Sequence, residues 1–345
     1  MSEKEKIREK TFRRFDELWT DNGKETKTLE YGAGHKYVVL SDFHLGDGSA
    51  ADNFAQNENI TGKALDFYRE GNYALILLGD IEEFHQFEMG AILGKYQSVY
   101  DRFRQFQDLH RIFGNHDVEW ALKDPLFAND KRPGVEAIKL QKDGSVDIML
   151  VHGHQASESY EKDLHIVRCG TTFFREIEKI FKLPGKFMFE DKPCFKDEIY
   201  AMWASDNKKV LICGHTHCPI FARNFFDYRW VLNSYTEYDK KLSDAKRENN
   251  RPEIIKYDKL FKWLHEKALT YQSRYNQTGG RGMKTSPGST LSEYYFNSGG
   301  CLFEDAITAI EIDEDWIRLA YWHNQVQERV VMWNKPISGI LHGNL

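Results

Sequence analysis

The sequence predicts an α/β fold, and two observations carry that prediction. Five short apolar runs, rich in β-branched and aliphatic residues, each stop abruptly at carboxylate, amide or imidazole side chains. Stretches with helical periodicity separate the first three of them. Continuous apolar runs of this length read as strands buried on both faces. Strand–helix–strand order implies crossover connections, which bring the carboxyl ends of the strands to one edge, where such folds bind ligands.

Composition narrows the function classes. The 345 residues are 41% hydrophobic, enough for a substantial core and typical of a soluble globular protein. Lys and Arg number 47 against 53 Asp and Glu, and the net charge of −6 speaks against a dedicated nucleic-acid binder. The five cysteines (Cys169, Cys194, Cys213, Cys218, Cys301) are odd in number and scattered, which suits a reducing cytoplasm. Cys213 and Cys218 lack the spacing of a structural zinc site and read as small buried residues. No apolar run approaches the roughly 20 residues that span a bilayer. The N-terminus is dense in charge where a secretory leader would be apolar, so the expected location is cytoplasmic.

The elements follow in order. Ser2 and Glu5 form a capping box for a helix whose one face carries Phe12, Phe15 and Trp19. This helix and a linker are expected to fill residues 1–35. "KYVVLSDFHLG" is a strand over 38–40 that ends in Asp42 and His44, followed by a helix over about 53–70. "YALILLGDIEEF" is a strand over 74–78 that ends in Gly79 and Asp80, followed by a helix over about 84–109. "IFGNHDVEW" breaks at Gly114 and places Asn115, His116 and Asp117 in a row. "VDIMLVHGHQ" ends in His152 and His154, and "KVLICGHTHCP" ends in His215 and His217, an i, i+2 pair that shares one side if the segment is extended.

Meeting at strand ends, Asp42, His44, Asp80, Asn115, His116, His152, His215 and His217 are oxygen and nitrogen donors without a thiolate. Such a set suits Mn, Fe, Zn or Co better than soft copper, and its imidazoles argue against pure Mg or Ca coordination. The donors are too many for one ion, and Asp80 is the natural bridge between two. Each residue has a plainer alternative: Asp42 and Asp80 as helix caps, Asn115 as a turn residue, each histidine as a satisfied polar group. Five such endings in order outweigh those readings. His35, His85, His110, His165, His265, His323 and His342 fit no block and are assigned no role. His154 is placed near the site without ligating.

The blocks "SDFHLG", "LGDIEEF", "FGNHD", "VHGH" and "CGHTHCP" resemble the calcineurin-like metallophosphoesterases, over about 36–156, 209–222 and 294–322. The resemblance implies a four-layer α/β/β/α sandwich with helical insertions forming a cap and a dinuclear metal centre at the strand ends. It implies that Asp42, His44, Asp80 and His217 hold one ion, and that Asp80, Asn115, His152 and His215 hold the other. His116 would stand unligated beside the phosphate, oriented by Asp117. The implied cofactors are two divalent or mixed-valence ions, Mn first, with Fe, Zn or Co as alternatives. The implied activity is hydrolysis of a phosphomonoester, phosphodiester or pyrophosphate by a hydroxide held at that centre. A small-molecule or lipid-linked substrate is expected first. A nuclease of the DNA-repair type, which shares several blocks, and a protein phosphatase are the alternatives. "SDFHLG", "GDIEEF" and "GHTHCP" look nearest to the bacterial enzymes that cleave UDP-diacylglucosamine. That branch often has Arg where this chain has His116, and it lacks so long a second insert.

The expected domain runs over 36–335, with a tail at 336–345. One insert, at about 157–207, holds an apolar stripe (Phe173, Phe174, Ile177, Ile180, Phe181) among basic residues. It reads as a cap that could touch a membrane surface or, more plainly, as a helix pair packed on the core. The other, at about 227–293, holds a charged helix with Leu260, Trp263, Leu264 and Leu269, then a Gly-rich loop. Asn297, Ser298 and Gly299 are expected to shape the site wall ahead of a hairpin turning at "IDED".

Overall fold

The computed structural model describes residues 2–118, 134–156, 193–225, 228–277, 291–303, 306–324 and 326–342. In chain order its elements begin with α1 (Glu3–Thr20), β1 (Thr26–Glu30), β2 (Lys36–Leu40), α2 (Glu58–Glu70), β3 (Ala74–Leu78) and α3 (Met89–Arg104). β4 (Leu109–Ile112), β5 (Ala137–Lys142), β6 (Ser145–Val151), α4 (Phe195–Asn207), β7 (Val210–Cys213), β8 (Ile220–Phe221) and β9 (Asn224–Phe225) follow. The last are α5 (Tyr228–Arg247), α6 (Arg251–Gln277), β10 (Tyr295–Asn297), β11 (Ala306–Asp313), β12 (Trp316–His323), β13 (Glu328–Pro336) and α7 (Ile337–His342).

Two sheets result. One has the order β13-β12-β11-β2-β3-β4, with β2, β3 and β4 parallel. The other has the order β1-β5-β6-β7-β10-β8-β9, with β6, β7 and β10 parallel. Alternation along β2 shows why its run is apolar throughout: Val39 faces the second sheet, while Val38 and Leu40 face the helices. Val39, Ile76, Leu78 and Ile310 share one apolar cluster with Ile138, Leu150 and Ile212 of the second sheet. Ile7 and Phe15 of α1 and Ile199 and Trp203 of α4 belong to that cluster too. On the far side, Ile60 and Leu65 of α2 and Tyr96 and Phe103 of α3 cover the first sheet. Helix, sheet, sheet and helix make the four-layer α/β/β/α sandwich.

Several expectations change in detail. The polar strand ends belong to two sheets instead of one edge, because β6 and β7 pair with each other and with β10. The N-terminal capping box forms, Ser2 Oγ accepting the Glu5 N–H at 3.3 Å and Glu5 accepting the Ser2 N–H at 2.6 Å. The linker after α1 contains β1, which pairs in parallel with β5. Residues 84–109 hold a shorter helix, α3, and the tail begins with α7, whose Ile337 and Ile340 are buried. The hairpin of β11 and β12 turns at Glu314 and Asp315, within "IDED".

The second insert forms the paired helices α5 and α6. Trp263 and Leu264 pack with Val231 against Ala306 and Tyr321, and Leu260 packs against Val326 and Val330. Leu269 does not join them and is 57% exposed. The apolar stripe of the first insert and the Gly-rich end of the second lie outside the described residues. Among the described residues, no helix is long and apolar enough to cross a membrane.

Candidate metal centre

The chain turns sharply just past each strand, and the turns aim the polar side chains. Asp42, His44, Asp80, His215 and His217 all adopt left-handed backbone, with φ between 46° and 67°. That conformation costs an L-residue ~1 kcal/mol or more, and Asp and His tolerate it better than bulky residues do. Its clustering at one locus marks a functional site. Two glycines make room. A Cβ on Gly114 would lie 2.6 Å from the Asp80 backbone nitrogen, and one on Gly79 would lie 2.6 Å from His152 Nδ1.

The side chains converge from both sheets. Asp42, His44 and His217 form one group that could hold a cation, and Asp80, His152 and His215 form a second, the ligand atoms within each lying within 4.8 Å of one another. Asp80 Oδ2 stands between them, 3.0 Å from His152 Nε2 and 3.7 Å from His44 Nε2. His217 Nε2 is 3.2 Å from Asp42 Oδ1 and 3.3 Å from His44 Nε2. The two carboxylates also tie the loops together. Asp80 accepts the His116 N–H at 2.9 Å, and Asp42 accepts the His215 N–H at 3.1 Å.

The donor set fits a cation on structural grounds. Asn115 Oδ1 is buried and makes no hydrogen bond, although buried polar atoms almost always have one. His152 Nδ1 donates to the Leu78 carbonyl at 2.8 Å, which aims Nε2 at Asp80. Burial by itself would raise the Asp80 carboxyl, but the facing His152 and His116 charges hold it well below the usual carboxylate range. Burial depresses His152, yet Asp80 lifts it to about 9. Burial and the neighbouring Lys196 push His215 well down.

One expected role is corrected. Asp117 does not orient His116. Its carboxylate accepts the Ile81 N–H at 2.8 Å and the Gly114 N–H at 2.5 Å, and it pairs with Arg111 at 3.0 Å. Arg111 in turn pairs with Glu82, which accepts the Tyr100 hydroxyl at 2.6 Å. Asp117 therefore fixes the backbone of two motifs. The group that holds His116 is Glu83, whose Oε1 accepts from His116 Nδ1 at 2.8 Å while its Oε2 accepts from His44 Nδ1 at 2.8 Å. Glu83 lies three residues after Asp80, beside Glu82, and no local signal in the sequence separates the two.

Other neighbours escaped the sequence reading. The His85 ring, assigned no role, lies 4.2 Å from the His116 ring. Lys196 Nζ donates to His215 Nε2 at 2.8 Å. His154 is buried with its ring 5.6 Å from that of His152, and burial drives its pKa well down. Ser298 stands behind the site, where its hydroxyl meets Ser41 Oγ at 2.7 Å, and Ser41 donates to Asp42. Asn297 donates to the Gly214 carbonyl at 2.9 Å.

The calcineurin-like phosphoesterase family model matches residues 35–219, just over half of the chain. Comparison with curated proteins finds no match. Among solved structures, Vps29 from Entamoeba histolytica is 14% identical, with 86% of this chain and 98% of that chain covered and a TM-score of 0.34. Vacuolar protein sorting 29 from Cryptosporidium parvum is 10% identical over 88% of this chain and 97% of its own, with a TM-score of 0.36. The cold-active protein-tyrosine phosphatase of a psychrophilic Shewanella is 12% identical over 90% of this chain and 82% of its own, with a TM-score of 0.36.

Proposed function

The chain belongs to the calcineurin-like phosphoesterase family, and from that premise we propose that it is a metal-dependent phosphoesterase that cleaves a phosphomonoester, phosphodiester or pyrophosphate bond. The observation that carries this reading is the place of Asp80, one carboxylate oxygen facing the nitrogens of both ligand groups. Asp42, His44, Asp80 and His217 would hold one ion, and Asp80, Asn115, His152 and His215 the other. Manganese comes first, then iron, zinc or cobalt, because the donors are oxygen and imidazole nitrogen without thiolate. A pair of such ions supplies a water acidic enough to attack near neutral pH and a clamp for phosphoryl oxygens.

The chain's own residues do the rest. Glu83 fixes the proton of His116 on Nδ1, which leaves Nε2 to face a leaving oxygen and to exchange a proton with it. The same carboxylate fixes the His44 ring. Asp117 and Arg111 brace the turns beneath. The substrate class we propose is a small or lipid-linked phosphoester, and the net charge of −6 is what weighs against nucleic acid.

The test is to measure bound metal, then compare turnover of an aryl phosphate, a bis-aryl phosphate, a nucleotide-sugar diphosphate and single-stranded DNA. Two ions per chain and hydrolysis of at least one of the first three are expected. DNA cleavage above all others would make the protein a nuclease. Full activity after exhaustive chelation would end the reading.

A further inference from the structure

Lys196 is the second residue of α4, and its ammonium points into the metal centre instead of outward to solvent, where lysines usually extend. Its backbone is anchored. The next residue, Asp197, is fully buried, accepting the Thr216 hydroxyl at 2.8 Å, the Tyr295 hydroxyl at 2.7 Å and the Cys194 N–H at 2.8 Å. Thr216 sits between His215 and His217, so the start of α4 is bolted to the loop that carries both imidazoles. The position of Lys196 is thus set by the same contacts that set the ligands.

The contact itself has a consequence in tautomer chemistry. A neutral imidazole has one N–H and one lone pair. An ammonium donating to His215 Nε2 uses that lone pair and leaves the proton on Nδ1. A cation on His215 needs the lone pair too. Coordination through Nε2 displaces Nζ directly, and coordination through Nδ1 moves the proton to Nε2, where a donor then faces a donor. By either route the ammonium loses its acceptor when His215 takes an ion.

We propose that Lys196 is a substrate-binding residue, its ammonium aimed into the centre beside His215 so that it contacts the phosphoryl oxygens of the ester when the ion is in place. This rests on the reading of the site given above. A phosphoryl group is the acceptor that suits an ammonium released beside two cations, since it carries negative charge on several oxygens. Because the ammonium and the ion compete for one imidazole, the ion alone gains nothing from Lys196. The phosphate gains a third cationic contact.

The experiment titrates metal-free protein with Mn²⁺, then titrates the loaded protein with inorganic phosphate, by calorimetry, for wild type, Lys196→Met and Lys196→Arg. Lys196→Met should bind Mn²⁺ at least as tightly as wild type, while its phosphate affinity falls by about tenfold or more, the range of a charge-assisted hydrogen bond. Lys196→Arg should keep most of the phosphate affinity. Phosphate binding equal in wild type and Lys196→Met overturns the proposal, and so does weaker Mn²⁺ binding by the Met variant, which would make Lys196 a support for the ligand. Failure of wild type to bind Mn²⁺ at all overturns the reading of the site and this proposal with it. Should Lys196→Met not fold, Lys196→Gln carries the same expectations.

Discussion

The two halves of the metal centre are built differently. The six-stranded sheet supplies Asp42, His44, Asp80, Asn115, His116 and Glu83, a half rich in carboxylates. The seven-stranded sheet supplies His152, His215 and His217, a half of imidazoles alone. The first half is braced by buried charge, with Arg111 between Glu82 and Asp117 and Glu83 between two histidines. The second is braced by neutral and single-charge contacts: the Leu78 carbonyl on His152, Lys196 on His215, and the Asp197–Thr216 pair. The groups Asp42–His44–His217 and Asp80–His152–His215 each draw a carboxylate from one sheet and an imidazole from the other, whereas a third group, His44, Glu83 and His116, lies wholly in the six-stranded half. The candidate centre is therefore a property of the sandwich interface, and an ion bound there would cross-link the sheets.

The largest effect should come from the residue that serves both groups. Asp80→Ala is expected to lower kcat/KM by about a thousandfold or more, roughly 4 kcal/mol of transition-state stabilisation. Metal analysis of the same variant should show less than the wild-type content, and activity at the wild-type level would break the comparison. Metal removal comes next. With free Mn²⁺ at about 100 times its dissociation constant, the native state gains ~2.7 kcal/mol, so chelation should lower the melting temperature by several degrees. A melting temperature indifferent to chelator would mean that no ion joins the halves.

A paired substitution sharpens the contrast within the carboxylate half. Glu83→Gln should reduce activity by about ten- to a hundredfold, as loss of a group that orients a ligand or acid commonly does. Its melting temperature should change little. Asp117→Asn should do the reverse, lowering stability by about 1–3 kcal/mol because Arg111 and two backbone N–H groups lose a charged acceptor. Kinetics and thermal unfolding of the two variants read this out, and an activity loss in Asp117→Asn with unchanged stability would restore Asp117 as the partner of His116. The smallest effect belongs to the wall. Ser41→Ala removes the hydroxyl that links Asp42 to Ser298, and it should cost about 1 kcal/mol of stability by denaturant titration with a few-fold loss of activity at most.

Much of this is legible in the sequence. The strand runs could be read because both faces of β2, β3, β6 and β7 are buried, so the whole run is apolar and its end is abrupt. The donors could be read because Asp, Asn and His are poor strand residues in series. Glu83 was harder. It sits beside Glu82 in "GDIEEF", and nothing local says that one glutamate pairs with Arg111 while its neighbour holds two histidines. His85 carries no motif at all, and adjacency in sequence suggests an Asp117–His116 contact that the turn at Gly114 directs elsewhere.

By itself the sequence determined the elements and the donor atoms, since burial on both faces, helix periodicity and side-chain chemistry are local properties. Only the tertiary structure decided which acid holds His116 and that Lys196 reaches His215. Those facts depend on how two sheets face each other and on left-handed turns a residue or two long, where a change of one backbone dihedral sends a side chain to another partner. No pattern along the chain encodes that distance.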